Sequence, residues 1–174
     1  MDRKQARAFE EFVRDSGDSL LRVAMLLVSD RHLAEDVYQE TLERLAVRWS
    51  RVDSPAAFCR RVMHNLIIDK ARTQQRRPRE LALYGMHDSS DPAPGDKLAA
   101  VEIRPVLLAA LDTLTPQQRA IVVLRYFDDR SEAEVADLLG VSLGTVKSTA
   151  SRAISRLRAE PGMAALLAPA GSTC

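Results

Sequence analysis

The sequence predicts an all-α chain of two small helical domains joined by a flexible linker, the second of them a helix-turn-helix. Three observations carry this reading. Apolar residues recur at helical spacings from residue 2 to about residue 75, with no strand-like alternation. The composition then turns to Asp, Ser, Pro and Gly between Pro78 and Lys97. Beyond that stretch, capping sequences announce helices in quick succession. The division that follows is 1–77 for the first domain, 78–100 for the linker, 101–160 for the second domain and 161–174 for a tail, expected either as a short terminal helix or without order.

In chain order, Phe9, Phe12, Val13, Leu20, Leu21, Val23, Leu26 and Leu27 give the opening segment its apolar surface. A second helix opens near Asp30 and runs to about Trp49, with Leu33, Val37, Leu42 and Leu45 inward and its acids outward. Ser54-Pro55 then supplies an N-cap followed by proline at the first helical position, where the missing N–H costs nothing. That helix reaches about Gln75, with Phe58, Cys59, Val62, Met63 and Leu66 inward and Arg61, His64, Asn65 and Arg72 on the other side. After the linker, Thr115-Pro116-Gln117-Gln118 starts a helix ending near Phe127, and the capping box Ser131-Glu132-Ala133-Glu134 starts the next. Gly140 ends that short helix, Ser142 caps a longer basic one, and Leu143, Val146, Ala150, Ala153, Ile154 and Leu157 form its inward stripe.

The totals exclude several classes. The 174 residues are 46% hydrophobic and 28% charged with a formal net charge of +1, within the globular range and informative only once the charge is resolved along the chain. Basic residues cluster at Arg60, Arg61, Lys70, Arg72, Arg76, Arg77 and Arg79, and again at Lys147, Arg152, Arg156 and Arg158, while Asp30, Glu35, Asp36, Glu40 and Glu43 lie elsewhere; two basic surfaces and one acidic one are expected. Cys59 and Cys174 do not make a disulfide framework or a zinc set, and Cys59 reads as a small core residue. His32, His64 and His87 lack metal-ligand spacing, and no nucleophile–base or carboxylate constellation appears, so neither cofactor nor enzymatic activity is expected. No apolar run approaches the ~20 residues that cross a bilayer and the N-terminus lacks a signal-peptide core, so the expectation is a cytoplasmic protein without membrane insertion.

The helix after Ser142 has the logic of a DNA reader. Ser148, Arg152 and Ser155 point away from its apolar stripe with Thr145 beside them, Lys147 and Arg158 flank one side and Arg156 the other. Side chains at the centre of such a face reach base edges in the major groove, and flanking cations meet phosphates. A basic, serine-rich face also serves solubility alone; caps, turn and charge taken together favour DNA contact.

The segment Ser131 to Arg158, ending in GVSLGTVKSTASRAISRLR, resembles the −35-recognition domain of extracytoplasmic-function sigma factors of the sigma-70 family. Ala34-Glu35-Asp36-Val37-Tyr38-Gln39-Glu40 resembles the family's acidic signature, and Asn65-Leu66-Ile67-Ile68-Asp69-Lys70-Ala71-Arg72 its −10-recognition helix, the wording being nearest to an actinobacterial, SigE-like subgroup. The resemblance implies sigma region 2 at 1–77 and region 4 at 101–160, and a subunit that gives core RNA polymerase its promoter specificity. It implies polymerase docking, at the β′ clamp, through Glu35, Asp36, Gln39 and Glu40. It places −10 recognition at Arg61, His64, Asn65, Arg72 and Arg76, with a flipped base against the loop Arg51 to Ser54, and −35 recognition at Ser142, Thr145, Lys147, Ser148, Arg152 and Arg156. Promoter DNA and an anti-sigma factor are the further partners implied. Phe58-Cys59 and Thr149 depart from a Trp-Leu pair and an arginine found in many relatives. Asp69 reads equally as a contact or as a structural partner of Arg72 or Arg61, and Ile68 is undecided. The rival reading is a helix-turn-helix regulator that binds operator DNA without joining polymerase.

Overall fold

Asp2 opens the first helix with a capping box: its carboxylate accepts from the Gln5 N–H at 2.8 Å, and the Gln5 side chain accepts from the Asp2 N–H at 3.2 Å. The helix, α1 (Arg3–Val28), stops where Ser29 turns left-handed at φ 56° and returns its N–H to Met25. Asp30 caps α2 (Arg31–Arg48), which runs into a 3-10 turn at Trp49–Arg51. A return N–H from Phe58 to the Ser54 carbonyl marks the start of α3 (Pro55–Arg76). The computed structural model describes residues 2–76 and 103–163, and within them all side chains except those at 72, 74–76, 103 and 104; the expected linker and most of the tail lie outside the described residues.

These three helices pack because their apolar stripes converge. Leu20, Val23 and Leu27 of α1, Val37 and Leu45 of α2, and Cys59 and Met63 of α3 are buried together. Phe9 meets Trp49 edge-on at 5.3 Å and Phe12 lies 5.7 Å from the same ring, sealing one end of the bundle. Gly17 lets α1 approach α2: a Cβ there would stand 2.8 Å from the Tyr38 hydroxyl.

The second region comprises α4 (Ile103–Asp112), α5 (Pro116–Val122), α6 (Glu132–Leu139) and α7 (Leu143–Ala159). Of these α4 was not individually legible in the sequence. The Thr115 and Ser131 capping boxes form as expected, with Gln118 and Glu134 as the reciprocal acceptors. The Ser131 N–H and hydroxyl hold the Glu134 carboxyl below the usual carboxylate range. The α5 helix continues through a wider π turn at Val123–Phe127, then Asp128 returns its N–H to Val123 at 3.0 Å. Gly140 sits at φ 65°, the conformation that ends α6, and the Ser142 hydroxyl accepts from Thr145 N–H at 3.1 Å to start α7. Ile121, Leu124, Val135, Val146 and Ala150 form the helix-turn-helix core.

The sequence separates the two regions by a linker, yet in space they meet. Leu111, Leu114, Val122, Ala153 and Leu157 belong to the same apolar cluster as Leu20, Val37 and Met63. Arg60, expected to add to a basic surface, is only 7% exposed and forms a two-pronged ion pair with the buried Asp128 carboxylate, its Nη2 donating to Oδ1 at 2.6 Å. Arg130 reaches the same carboxylate at 3.2 Å. Arg119 of α5 donates to the Leu26 carbonyl at 2.6 Å and to the Ser29 hydroxyl, closing the C-terminus of α1 from the other region.

Candidate functional site

The α7 helix presents the face that the sequence singled out. Val146, Thr149, Ala150, Ala153 and Leu157 are buried, and Ser142, Lys147, Ser148, Arg152, Ser155 and Arg156 face solvent, with Thr145 at the edge. No acid occurs from Leu143 to Ala159, so the exposed face is positive along its length. Lys147 keeps a long contact to Glu132, 3.8 Å away, at the near end of α6, which screens it weakly. Two positions differ from expectation. Leu143 is 44% exposed, because the first residue of α7 projects past the end of the core, so the inward stripe begins at Val146. Thr149 is buried beneath the face, and its hydroxyl accepts from the Arg152 guanidinium at 3.4 Å. Ser151 stands exposed between Ser148 and Arg152; the helical period alone could have included it.

On α3, Arg61 and Asn65 are exposed and Met63 and Leu66 buried, as the period requires. His64 is half-buried instead of projecting freely. Its Nδ1 lies 3.4 Å from the Asn65 amide oxygen and its Nε2 has neither solvent nor partner, so burial holds the imidazole below its ordinary pKa. Arg61 donates to the Asp137 carbonyl of α6 at 3.0 Å, across the seam between the regions. The side chains of Arg72 and Arg76 lie outside the described residues. In the loop proposed for a flipped base, Arg51, Asp53 and Ser54 are exposed and Val52 is half-buried.

The acidic face lies on α2. Asp36 and Gln39 point outward, while Glu35 is paired with Arg31 at 2.8 Å and Glu40 with Arg44 at 2.6 Å, both one helical turn away. Such exposed pairs hold weakly and exchange readily for an incoming partner. The same face continues through Glu43 to Val47, which is 86% exposed. Glu43 was expected on the acidic surface but not among the docking residues, and Val47 in neither, although the spacing 36, 39, 43, 47 is itself helical. Cys59 is buried and burial pushes its thiol up to about 11, with Arg60 opposing the shift, so it is an inert core residue. Among the described residues no group of His, Cys, Asp and Glu is placed to hold a metal ion.

Comparison with known proteins identifies the family. Residues 12–77 match the model of sigma-70 region 2, and residues 105–157 that of sigma-70 region 4. The chain is 39% identical over 155 residues to the RNA polymerase sigma-E factor of Streptomyces coelicolor, covering 87% of this chain and 85% of that protein. It is 33% identical over 161 residues to the ECF RNA polymerase sigma factor SigE of Mycolicibacterium smegmatis, covering 90% and 63%. The fold matches the sigma factor RpoE of Bartonella quintana, solved with the anti-sigma factor NepR, at TM-score 0.71 and 22% identity over 87% of this chain and 95% of that one. It matches CnrH, solved with the cytosolic domain of CnrY, at TM-score 0.61 and 22% identity over 88% and 87%. The chain belongs to the extracytoplasmic-function sigma factors of the sigma-70 family. It is an RNA polymerase sigma factor that directs transcription initiation, and it is not an enzyme.

Proposed function

We propose that residues 1–77 and 101–160 divide the work of initiation, the first docking on polymerase and reading the −10 element, the second reading the −35 element. The observation that carries this is the acid-free exposed face of α7, set opposite a fully buried stripe and preceded by a capped turn. Arg152 is the principal base reader, with Ser148 and Thr145 beside it; Ser142, Lys147 and Arg156 hold phosphates and register. Asn65, Arg61 and His64, with Arg72 and Arg76, serve the −10 element. Core polymerase chooses no start site by itself, so strand opening there must be driven by binding the exposed strand, through phosphate charge and base contacts. Glu35, Asp36, Gln39 and Glu40 dock on the β′ clamp by pairing with arginines of the partner helix.

The sigma factor RpoE of Bartonella quintana was solved in complex with the anti-sigma factor NepR, and this supports a protein inhibitor of the same kind as a partner here. A cytoplasmic location follows from the proposed work on core polymerase; no described helix is long and apolar enough to cross a membrane.

Run-off transcription with purified core polymerase on a pool of genomic promoters tests the division. Wild type starts transcripts at a defined subset; Asp36→Arg abolishes core binding. Arg152→Ala costs about 1–3 kcal/mol at one promoter position and relaxes choice there, while Lys147→Ala weakens all promoters and lowers the salt slope by about one. Operator-like footprints by the free chain, with no core binding, would refute the assignment.

A further inference from the structure

We infer that Thr149, buried beneath the outward face of α7, is a positioning residue: it fixes the Arg152 guanidinium and thereby sets base choice at one position of the −35 element. The inference rests on the assignment of Arg152 as base reader made above. Thr149 is 6% exposed, so its side chain meets no base itself. Its hydroxyl accepts from Nη2 of Arg152 at 3.4 Å. Arg152 takes part in no ion pair among the described residues, and α7 carries no acid that could hold it instead.

Helix geometry gives this tie a direction. Long side chains on an α-helix lean back over the turn N-terminal to their own Cα, and Thr149, three positions earlier, lies in that turn. Arg156, one turn further on, repels the guanidinium from the other side. The fork is therefore drawn toward Ser148 and Thr145, in the half of α7 that meets base edges when a recognition helix enters the groove. A loose Arg152 reaches phosphate just as well, and phosphate carries no sequence information.

The hydroxyls of the same face are already held. Ser148 donates to the Thr145 carbonyl at 3.3 Å, Ser155 to the Ser151 carbonyl at 3.0 Å, and the Ser142 and Thr145 hydroxyls share a hydrogen bond of 2.8 Å. Arg152 is the long, rotamer-rich side chain among them, and Thr149 is its tether. Ordering one such chain at an interface costs about two- to tenfold in affinity. The saving goes to the matching base, because a mismatched one offers the fork no second acceptor. Selectivity at that position depends on the tether by the same factor.

The test is run-off transcription by the full chain with core polymerase on promoters randomised across the −35 element, comparing wild type, Thr149→Val, Arg152→Ala and the double variant. Valine keeps the branched shape and loses the hydroxyl. Arg152→Ala marks the position where its preference disappears. Thr149→Val lowers preference at that position about two- to tenfold, leaves the other positions unchanged, and adds nothing in the Arg152→Ala background. Thr149→Ser, which retains the hydroxyl, keeps the wild-type preference. An unaltered preference in Thr149→Val overturns the positioning role. So does a loss spread evenly over all promoters, or one that persists without Arg152. Should Thr149→Val not fold, Thr149→Ala compared with Thr149→Ser decides by the same readings. If Arg152→Ala itself keeps the wild-type preference at every position, the base-reader assignment fails first and the positioning role falls with it.

Discussion

Replacing Arg119 by alanine removes one side chain that closes a helix of the other region. Its guanidinium is buried and donates to the Leu26 carbonyl, the Ser29 hydroxyl and the Asp112 carboxylate; burial lowers its pKa, and the Asp112 hydrogen bond and charge oppose that shift. Hydrogen bonds to a charged group are each worth about 1.5–3 kcal/mol, but the Asp112 contact is partly exposed and counts for little. The truncation also removes a cation whose burial was itself costly, and it leaves the Leu26 carbonyl, in a buried residue, without a donor at about 1–3 kcal/mol. The net expectation is a loss of about 2–4 kcal/mol, or roughly 5–12 °C in Tm for a chain of this length. Thermal and urea unfolding of the full chain, followed by circular dichroism at 222 nm, measures it. Arg119→Lys recovers only part, because an ammonium is a point donor and cannot span three acceptors in a fork. A shift within about 1 °C for Arg119→Ala would show that the α1 terminus is satisfied otherwise and that the capping argument is wrong.

Further outcomes follow from burial and close approach. Native Cys59 reacts with a disulfide probe at pH 8 far more slowly than a model thiol, because its pKa is pushed up to about 11 and its side chain is covered; a rate near that of a free thiol would contradict its burial. Gly17→Ala improves helix propensity by up to about 1 kcal/mol yet lowers the urea midpoint, since the new methyl meets the Tyr38 hydroxyl. In a Tyr38→Phe background the sign reverses, and an unchanged sign there would dismiss the steric account. His64 has a folded pKa below its unfolded value, so the unfolded chain takes up the proton first; stability falls as pH drops from about 6.5 toward the folded pKa. His64→Gln flattens that part of the stability profile between pH 7.5 and 5.5, whereas an identical slope in both proteins would assign the acid loss to other groups.

Helix positions were legible because capping is local chemistry. Ser131 with Glu134 and Thr115 with Gln118 announce their helices within four residues, and Gly140 ends one by a backbone conformation few other residues adopt. The outward face of α7 followed from period alone. What escaped the sequence depends on contacts between distant segments. Arg60 reads as one more cation in a basic run until Asp128, 68 positions later, is brought against it. Leu143 reads as core because the period cannot see where the core ends, and Thr149 reads as a lost surface contact because burial depends on α5 and α6 packing beneath it. His64 sits on the polar side of α3 by period, yet it is half-buried with its Nε2 covered.

That same helix carries a conflict. Along α3, Arg60 turns to Asp128, Arg61 to the Asp137 carbonyl, and Asn65 is exposed beside His64, so one short arc holds both the seam and the residues assigned to the −10 element. A helix face cannot pack against α6 and receive a nucleic-acid strand at once. The two kinds of partner also differ in what they offer: a carbonyl gives Arg61 one neutral acceptor, whereas a phosphate gives a charge-assisted and geometrically better-matched one. Exchange toward DNA is therefore favourable at Arg61 itself, and the cost of opening falls on the apolar contacts of Leu111, Leu114 and Val122 with the first region.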